Sequence, residues 1–329
     1  MVKARKYIVK QPFVGLPKRE DFEIVEHQLP PIKNGEILVK VEWVSVDPYM
    51  RAYNGRFPTP YDQFGFNVGT VQDSKDPRYP VGRKVVTHKG WCDYTIANAS
   101  SETDRVYKLP DLKGLNESLA VGAVGMPGAT AYFGLLEICK PKAGETVVVT
   151  GAAGAVGTVV GQIAKIKGCT VIGFAGTDEK CQWLQSLGFD KAFNYKTVDA
   201  SKVLKEAAPS GIDCYFDNVG GELSSIIISQ MNVRGRVAVC GSISAYNDTS
   251  LPEATILQTY LVFKQLKIEG FIVDRWLGQW NVAFADIIGW IKSGKMKTQE
   301  HVTEGFDNIY DAFVGMLQGE NTGKAVVKI

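Results

Sequence analysis

The stretch Gly151-Ala-Ala-Gly-Ala-Val-Gly157 sets glycines at every third position among side chains no larger than valine. Where such a turn opens a helix, unpaired backbone N–H groups and the positive end of the helix dipole face outward. An anion can reach them if no side chain stands in the way, and Ala152, Ala153 and Ala155 leave the approach open. The chemistry on offer is capture of a pyrophosphate. The spacing departs from the commoner Gly-x-Gly-x-x-Gly, so a glycine-rich turn that binds nothing remains the alternative on pattern alone.

The flanking residues must position this turn. Val147, Val148 and Val149 form a β-branched run suited to a strand buried on both faces, and Thr158-Val-Val-Gly-Gln-Ile-Ala-Lys165 continues as an amphipathic helix. Further alternation follows: Thr170 to Phe174, a helix from Asp178 to Leu187, Ala192 to Tyr195, Ile212 to Asp217, a helix from Gly221 to Met231, Arg236 to Cys240, and Leu266 to Val273. Strands separated by helices predict a doubly wound parallel sheet, an α/β (Rossmann) architecture whose ligand lies at the carboxyl ends of the strands. The stretch 119–137 reads as a Pro-Gly break followed by a helix. The stretch 275–292 reads as one long amphipathic helix, and Ile309 to Leu317 as a last helix.

Residues before about 120 differ in texture. Short alternating runs such as Glu36 to Val46 are broken by turn residues, and more than half of the 14 prolines fall in the first quarter of the chain, which argues for a β-rich domain without long helices. The terminal strand Ala325 to Ile329 has no place in the parallel sheet and is expected to return to this domain. We therefore expect a β-rich domain of residues 1–122 plus 296–329 and a nucleotide-binding domain of residues 123–295.

At 329 residues, with 45% hydrophobic and 22% charged residues and a net charge of +2, the composition is that of a globular chain. No basic run points to nucleic acid and no apolar run to a membrane, so a small molecule is the expected partner. The six cysteines include no Cys-x-x-Cys pair, and the first residues hold no apolar segment of secretory length; a cytoplasmic location is expected. A catalytic zinc needs a ligand cluster that the three histidines, His27, His88 and His301, do not supply by context, so no metal is expected. His88 reads as a packed or surface residue, and Cys92 has no adjacent base to make it a nucleophile.

The choice between nicotinamide cofactors rests on the end of the second strand. NAD sites place an acid there, whereas NADP sites offer a cation. The strand end at Ala175-Gly176 carries no acid. Asp178, about twenty residues past Gly157, fits better as first-turn helix chemistry behind an N-cap at Thr177, with Lys180 facing the strand end one turn in. NADP(H) is the expected cofactor.

Six motifs in order extend this reading. Val46-Asp-Pro-Tyr-Met-Arg51, Val124-Gly-Met-Pro-Gly-Ala-Thr-Ala-Tyr-Phe-Gly134, the glycine turn, Asp217-Asn-Val-Gly-Gly221, Gly270-Phe-Ile-Val-Asp-Arg-Trp276 and Asn321-Thr-Gly-Lys324 resemble the zinc-independent medium-chain dehydrogenase/reductase family over essentially the whole chain. The resemblance implies a GroES-like β-rich domain, a homodimer, and NADPH-dependent reduction of the carbon–carbon double bond of α,β-unsaturated ketones and aldehydes. Its substrate classes are 15-oxo-prostaglandins and lipid-derived 2-alkenals, with oxidation of the 12-hydroxyl of leukotriene B4 as a further activity. By position it implies that Gly154, Ala155, Val156 and Gly157 hold the pyrophosphate, Lys180 and Tyr195 the 2′-phosphate, and Asn218 and Asn321 polar parts of the cofactor. Cys240, Gly241, Ser242, Ile243, Ser244 and Tyr246, with Phe271, Ile272 and Val273, flank the nicotinamide side. Relatives carry a tyrosine that orders the nicotinamide ribose where this chain has Phe263; Tyr260, one turn earlier, is the substitute, with a ribose hydroxyl and water as the alternative. Tyr49, Met126 and Trp276 are the candidate substrate contacts. A zinc-free quinone or alcohol oxidoreductase, or a non-catalytic NADPH-binding protein, are the rival functions.

Overall fold

In the computed structural model, residues 2–250 and 257–329 are described. The chain divides into two compact units, Met1–Gly125 with Glu300–Ile329, and Met126–Gln299.

The first unit begins with β1 (Lys3–Val9), β2 (Phe22–Gln28) and β3 (Glu36–Ser45), then a four-residue helix α1 (Tyr49–Ala52). It continues with β4 (Tyr61–Asp62), β5 (Asn67–Ser74), β6 (Lys84–Thr87), β7 (Tyr94–Asn98) and β8 (Tyr107–Lys108). β3 shows the period of two that makes a half-buried strand: Ile37, Val39 and Val41 are buried while Lys40 is exposed. An aromatic core fills the space below, with Trp91 edge-on to Tyr7 at 5.5 Å and to Phe313 at 5.3 Å between ring centres.

The second unit carries the expected parallel sheet. Its strands are β9 (Thr146–Val149), β10 (Thr170–Ala175), β11 (Lys191–Asn194), β12 (Ile212–Asp217), β13 (Met231–Val239) and β14 (Lys267–Gly270). They run parallel in the order β11-β10-β9-β12-β13-β14, with β9 buried throughout. Counted along the unit this is the order 3-2-1-4-5-6, which reverses direction between β9 and β12 and opens a crevice at their carboxyl ends. The helices are α2 (Met126–Phe133), α3 (Gly157–Ile166), α4 (Asp178–Ser186), α5 (Ala200–Ala207), α6 (Gly221–Ser229), α7 (Gln258–Lys264) and α8 (Trp280–Lys292). The chain then supplies β15 (Glu300–Glu304), α9 (Ile309–Leu317) and β16 (Lys324–Lys328) to the first unit. There β16 lies antiparallel to β3 and parallel to β15, which gives the terminal strand its place.

Several elements depart from the sequence reading. The segment 275–292 is not one helix: Val273–Gln279 is a 3-10 segment interrupted at Trp276, whose ring is buried at 8% exposure, and only from Trp280 does regular helix run. Pro127-Gly128 does not break the chain ahead of α2 but lies in its first turn, where proline's missing N–H has no helical partner to lose. The last strand of the sheet spans Lys267–Gly270, shorter than 266–273, whereas β13 starts at Met231, well before Arg236. Helices α5 and α7 are additional.

The start of α1 is held from far along the chain. Lys324, 4% exposed, approaches the Asp47 carboxylate at 3.1 Å and donates to the carbonyls of Val46 at 2.7 Å and Ala325 at 2.8 Å. Ser45 donates its hydroxyl to the same carboxylate. Burial pushes the Lys324 amine down, while Asp47 and then Glu300 oppose the shift. Removing one partner of a buried pair strands the other charge. We expect Lys324→Met to lower the unfolding free energy by about 3–5 kcal/mol, read by urea denaturation, with part of the loss recovered when Asp47→Asn is added.

Candidate active site

The crevice of the second unit is built from four turns at the carboxyl ends of strands. The first follows β9. Gly151 sits at φ +57°, a backbone conformation that a side chain would strain, and a Cβ on Gly157 would lie 2.4 Å from the Gly151 carbonyl oxygen and 2.7 Å from the Ala152 Cα. These two glycines set the tightness of the turn and the closeness of α3 to it. Gly154 differs: a Cβ there would meet only the Gly151 oxygen, at 3.3 Å, so its outer face is open. The amides of Ala155, Val156 and Gly157 lead into α3 with no i−4 acceptor inside the helix.

The second turn follows β12 and is organised by Asp217, 3% exposed. Its carboxylate accepts the amides of Val219 at 2.9 Å and Gly220 at 2.8 Å, and the hydroxyls of Thr150 at 3.2 Å and Ser224 at 2.6 Å. Asn218 donates its side-chain amide to the Thr150 carbonyl at 2.8 Å, which ties the second turn to the first. The third turn hangs from the second: the amides of Cys240 and Gly241 donate to the Asp217 carbonyl, Ile243 to that of Asn218, and Ser244 to that of Val219. Ser242 donates its amide to the Tyr246 hydroxyl at 3.2 Å. Burial pushes the Cys240 thiol up to about 12, which leaves it a packing group rather than a nucleophile.

A fourth turn follows β10. Thr177 caps α4 as expected, its hydroxyl accepting the Lys180 amide at 3.3 Å. Burial, and then the neighbouring Lys196, push the Lys180 amine below its ordinary value. The two amines are thus close enough to repel each other, and Gly176 lies beside the second: a Cβ there would meet the Tyr195 ring at 3.5 Å and the Lys196 side chain at 3.6 Å. Tyr195 is 47% exposed, with the Lys196 ammonium 6.0 Å from its ring centre. Lys196 is a neighbour of this place that the sequence reading did not name. It directly follows Tyr195, and that adjacency to a residue expected at the 2′-phosphate was the available signal.

At the far edge of the sheet, Phe271 packs edge-on to Phe216 at 6.1 Å, Ile272 is 57% exposed and Val273 is buried. Trp276 stacks on Phe133 at 5.4 Å and meets Phe271 at 5.8 Å, so it supports this edge from within the core. Met126 is half-buried at the start of α2. On α7, Tyr260 is 37% exposed, with the Lys264 ammonium 5.9 Å from its ring centre, and Phe263 is 78% exposed.

In the first unit, Tyr49 stands on α1, half-buried, stacked on Phe64 at 5.8 Å, with its hydroxyl 3.3 Å from His88 Nε2. Asn321 is half-buried and donates to the Gly323 carbonyl at 2.6 Å. Among the described residues no three His, Cys, Asp or Glu side chains gather as a metal site, and no helix is long and apolar enough to cross a membrane.

The Asp217 clamp is testable. Asp217→Asn keeps the shape and one acceptor oxygen for the Val219 and Gly220 amides, but it removes the negative charge that strengthens those bonds and puts an NH2 group where the Ser224 hydroxyl donates. We expect a loss of about 1.5–3 kcal/mol of stability, read by thermal or urea unfolding, with faster amide exchange at Val219 and Gly220.

Comparison with known proteins supplies the family. Residues 5–104 match the family described as N-terminal domain of oxidoreductase, and residues 155–289 the family described as zinc-binding dehydrogenase. Over 330 aligned residues the chain is 49% identical to prostaglandin reductase 1 of Bos taurus, covering 100% of both chains. It is 39% identical to the NADP(+)-dependent 2-alkenal reductase of Nicotiana tabacum, covering 100% of this chain and 98% of that one. The crystal structure of CurA from Vibrio vulnificus in complex with NADPH matches it at a TM-score of 0.90 and 38% identity, over 98% of each chain. The chain belongs to the prostaglandin reductase 1 group of the medium-chain dehydrogenase/reductase family.

Proposed function

We propose that this protein is an NADPH-dependent reductase of the carbon–carbon double bond in α,β-unsaturated ketones and aldehydes, with 15-oxo-prostaglandins and lipid-derived 2-alkenals as its substrate classes. The observation that carries the reading is the pairing of an open glycine turn with two amines at the end of the next strand. An NADPH pyrophosphate suits the amides of Gly154, Ala155, Val156 and Gly157, because the outer face of Gly154 is open and the helix start favours negative charge. A 2′-phosphate suits the site of Lys180, Tyr195 and Lys196, because an anion there relieves the repulsion between the two amines. Asn218 and Asn321 are the polar cofactor contacts. The turn Cys240, Gly241, Ser242, Ile243, Ser244 and Tyr246 and the segment Phe271, Ile272 and Val273 flank the nicotinamide.

When bound, NADPH supplies the hydride that reduces the β-carbon. The chain's part is to orient and to stabilise: Tyr260 carries the hydroxyl nearest in sequence to the position held by Phe263, and we assign it to the nicotinamide ribose. Tyr49, Met126 and Trp276 are the proposed substrate contacts, Trp276 being buried against Phe133 and Phe271. Charge that builds on the substrate carbonyl oxygen needs a fixed donor.

The β-rich unit is read as GroES-like. A homodimer is supported by β14, which pairs on one side only among the described residues, and by the nearby exposed side chains Val262, Phe263 and Ile272. A cytoplasmic location is supported by six free cysteines.

Two measurements test the function. Purified protein with NADPH and 4-hydroxynonenal or a 15-oxo-prostaglandin is expected to consume NADPH and yield the saturated carbonyl compound; an allylic alcohol or a hydroquinone as product would move it to the rival classes. Lys180→Ala and Lys196→Ala are each expected to raise the KM for NADPH about tenfold or more while leaving that for NADH within about twofold.

A further inference from the structure

The end of β10 poses a conflict of charge. Thr177 caps α4, and Asp178 and Glu179 in its first turn complement the helix dipole, so the helix favours a carboxylate at this place. A 2′-phosphate does not, and an acid about twenty residues past the glycine turn is what an NAD site uses to hold the ribose 2′-hydroxyl. Asn194, the last residue of β11 and the register partner of Ala175, meets both demands. Its side-chain NH2 donates to an Asp178 carboxylate oxygen at 2.9 Å, and its side-chain oxygen accepts the Lys196 amide at 3.1 Å. The two bonds fix which way the group lies, because a backbone N–H needs the oxygen and a carboxylate needs the NH2. Its backbone carbonyl takes the amides of Thr197 at 3.0 Å and Val198 at 3.2 Å, which closes the turn that carries Tyr195 and Lys196.

We infer that Asn194 is a positioning residue for cofactor selection: it holds the Asp178 carboxylate in one rotamer and locates Lys196, so that an acid at the head of α4 is compatible with a 2′-phosphate. The inference rests on the proposed function, because it concerns how that site chooses its cofactor. Without the bond, the exposed carboxylate is free to turn, to repel a phosphate and to accept from a ribose hydroxyl instead. With it, one carboxylate oxygen is spent on a neutral donor, and the chain segment carrying Lys196 is tied to the same side chain. Asp178, Asn194, Tyr195 and Lys196 all lie in the second unit, at the ends of two paired strands, so the arrangement is complete within that unit. Asn194 need not touch the cofactor; it acts through Asp178 and Lys196.

The test compares NADP+ with NAD+, which differ only in the 2′-phosphate, by calorimetric titration of the full chain, and so needs no turnover. Wild-type protein is expected to bind NADP+ about tenfold or more tighter than NAD+. Asn194→Ala is expected to cut that preference about threefold or more, by weakening NADP+ while NAD+ affinity holds or rises; a merely structural role would weaken both alike. Adding Asp178→Asn, which removes the charge and keeps the shape, is expected to bring the preference back to within about twofold of wild type. Asp178→Asn alone is expected to keep the preference or increase it. Wild-type protein with no preference for NADP+ would overturn the cofactor reading itself. A wild type that prefers NADP+ would overturn this inference alone if Asn194→Ala keeps the preference, weakens both cofactors alike, or loses the preference beyond recovery by Asp178→Asn.

Discussion

One buried carboxylate keeps the nucleotide crevice in shape. Asp217 accepts four hydrogen bonds, two from the amides of its own turn, one from Thr150 at the end of β9 and one from Ser224 in α6. A buried carboxylate is tolerable only when its lone pairs are filled, and here the donors that fill them belong to elements that must stay together. Its own carbonyl takes two more amides, from the turn after β13. Three turns from three strands are therefore referred to one residue.

That arrangement explains why the side chains of the first turn can be so small. With the backbone located from behind, by Thr150 and by the Ala152 amide donating to the Phe174 carbonyl, nothing on the outer face is needed to hold it. The open face is then left to backbone amides, whose direction is set by the helix and does not depend on rotamers. Amides alone recognise phosphate but do not distinguish one dinucleotide from another. On the function proposed above, selection falls to side chains near the end of β10, where Lys196 lies close enough to Lys180 to lower its pKa.

Much of this was legible in the sequence because it is local. The Val147–Val149 run, the glycine turn, the Thr177 cap and α9 each announce themselves within a few residues, by periodicity or by capping chemistry. The elements that escaped have weak local signals: α5 buries only Ala200 and Leu204, and the interruption at Trp276 arises because its ring stacks on Phe133, far back in the sequence. Side-chain partnerships across the chain were not legible at all. Asp47 and Lys324 each lie in a recognisable motif, but nothing in either motif names the other, and His88 by itself looks like a packing residue.

The same distinction bears on Phe263. A missing hydroxyl matters only if the position faces the reaction, and on this chain Phe263 is 78% exposed, beside Val262 at 69%. Two neighbouring exposed apolar side chains, with β14 paired on one side only among the described residues, suit the association proposed above. Phenylalanine there adds apolar area to that surface. A hydroxyl that is to move a proton needs the opposite setting: a ring clamped by its neighbours, and a titratable partner within hydrogen-bond reach.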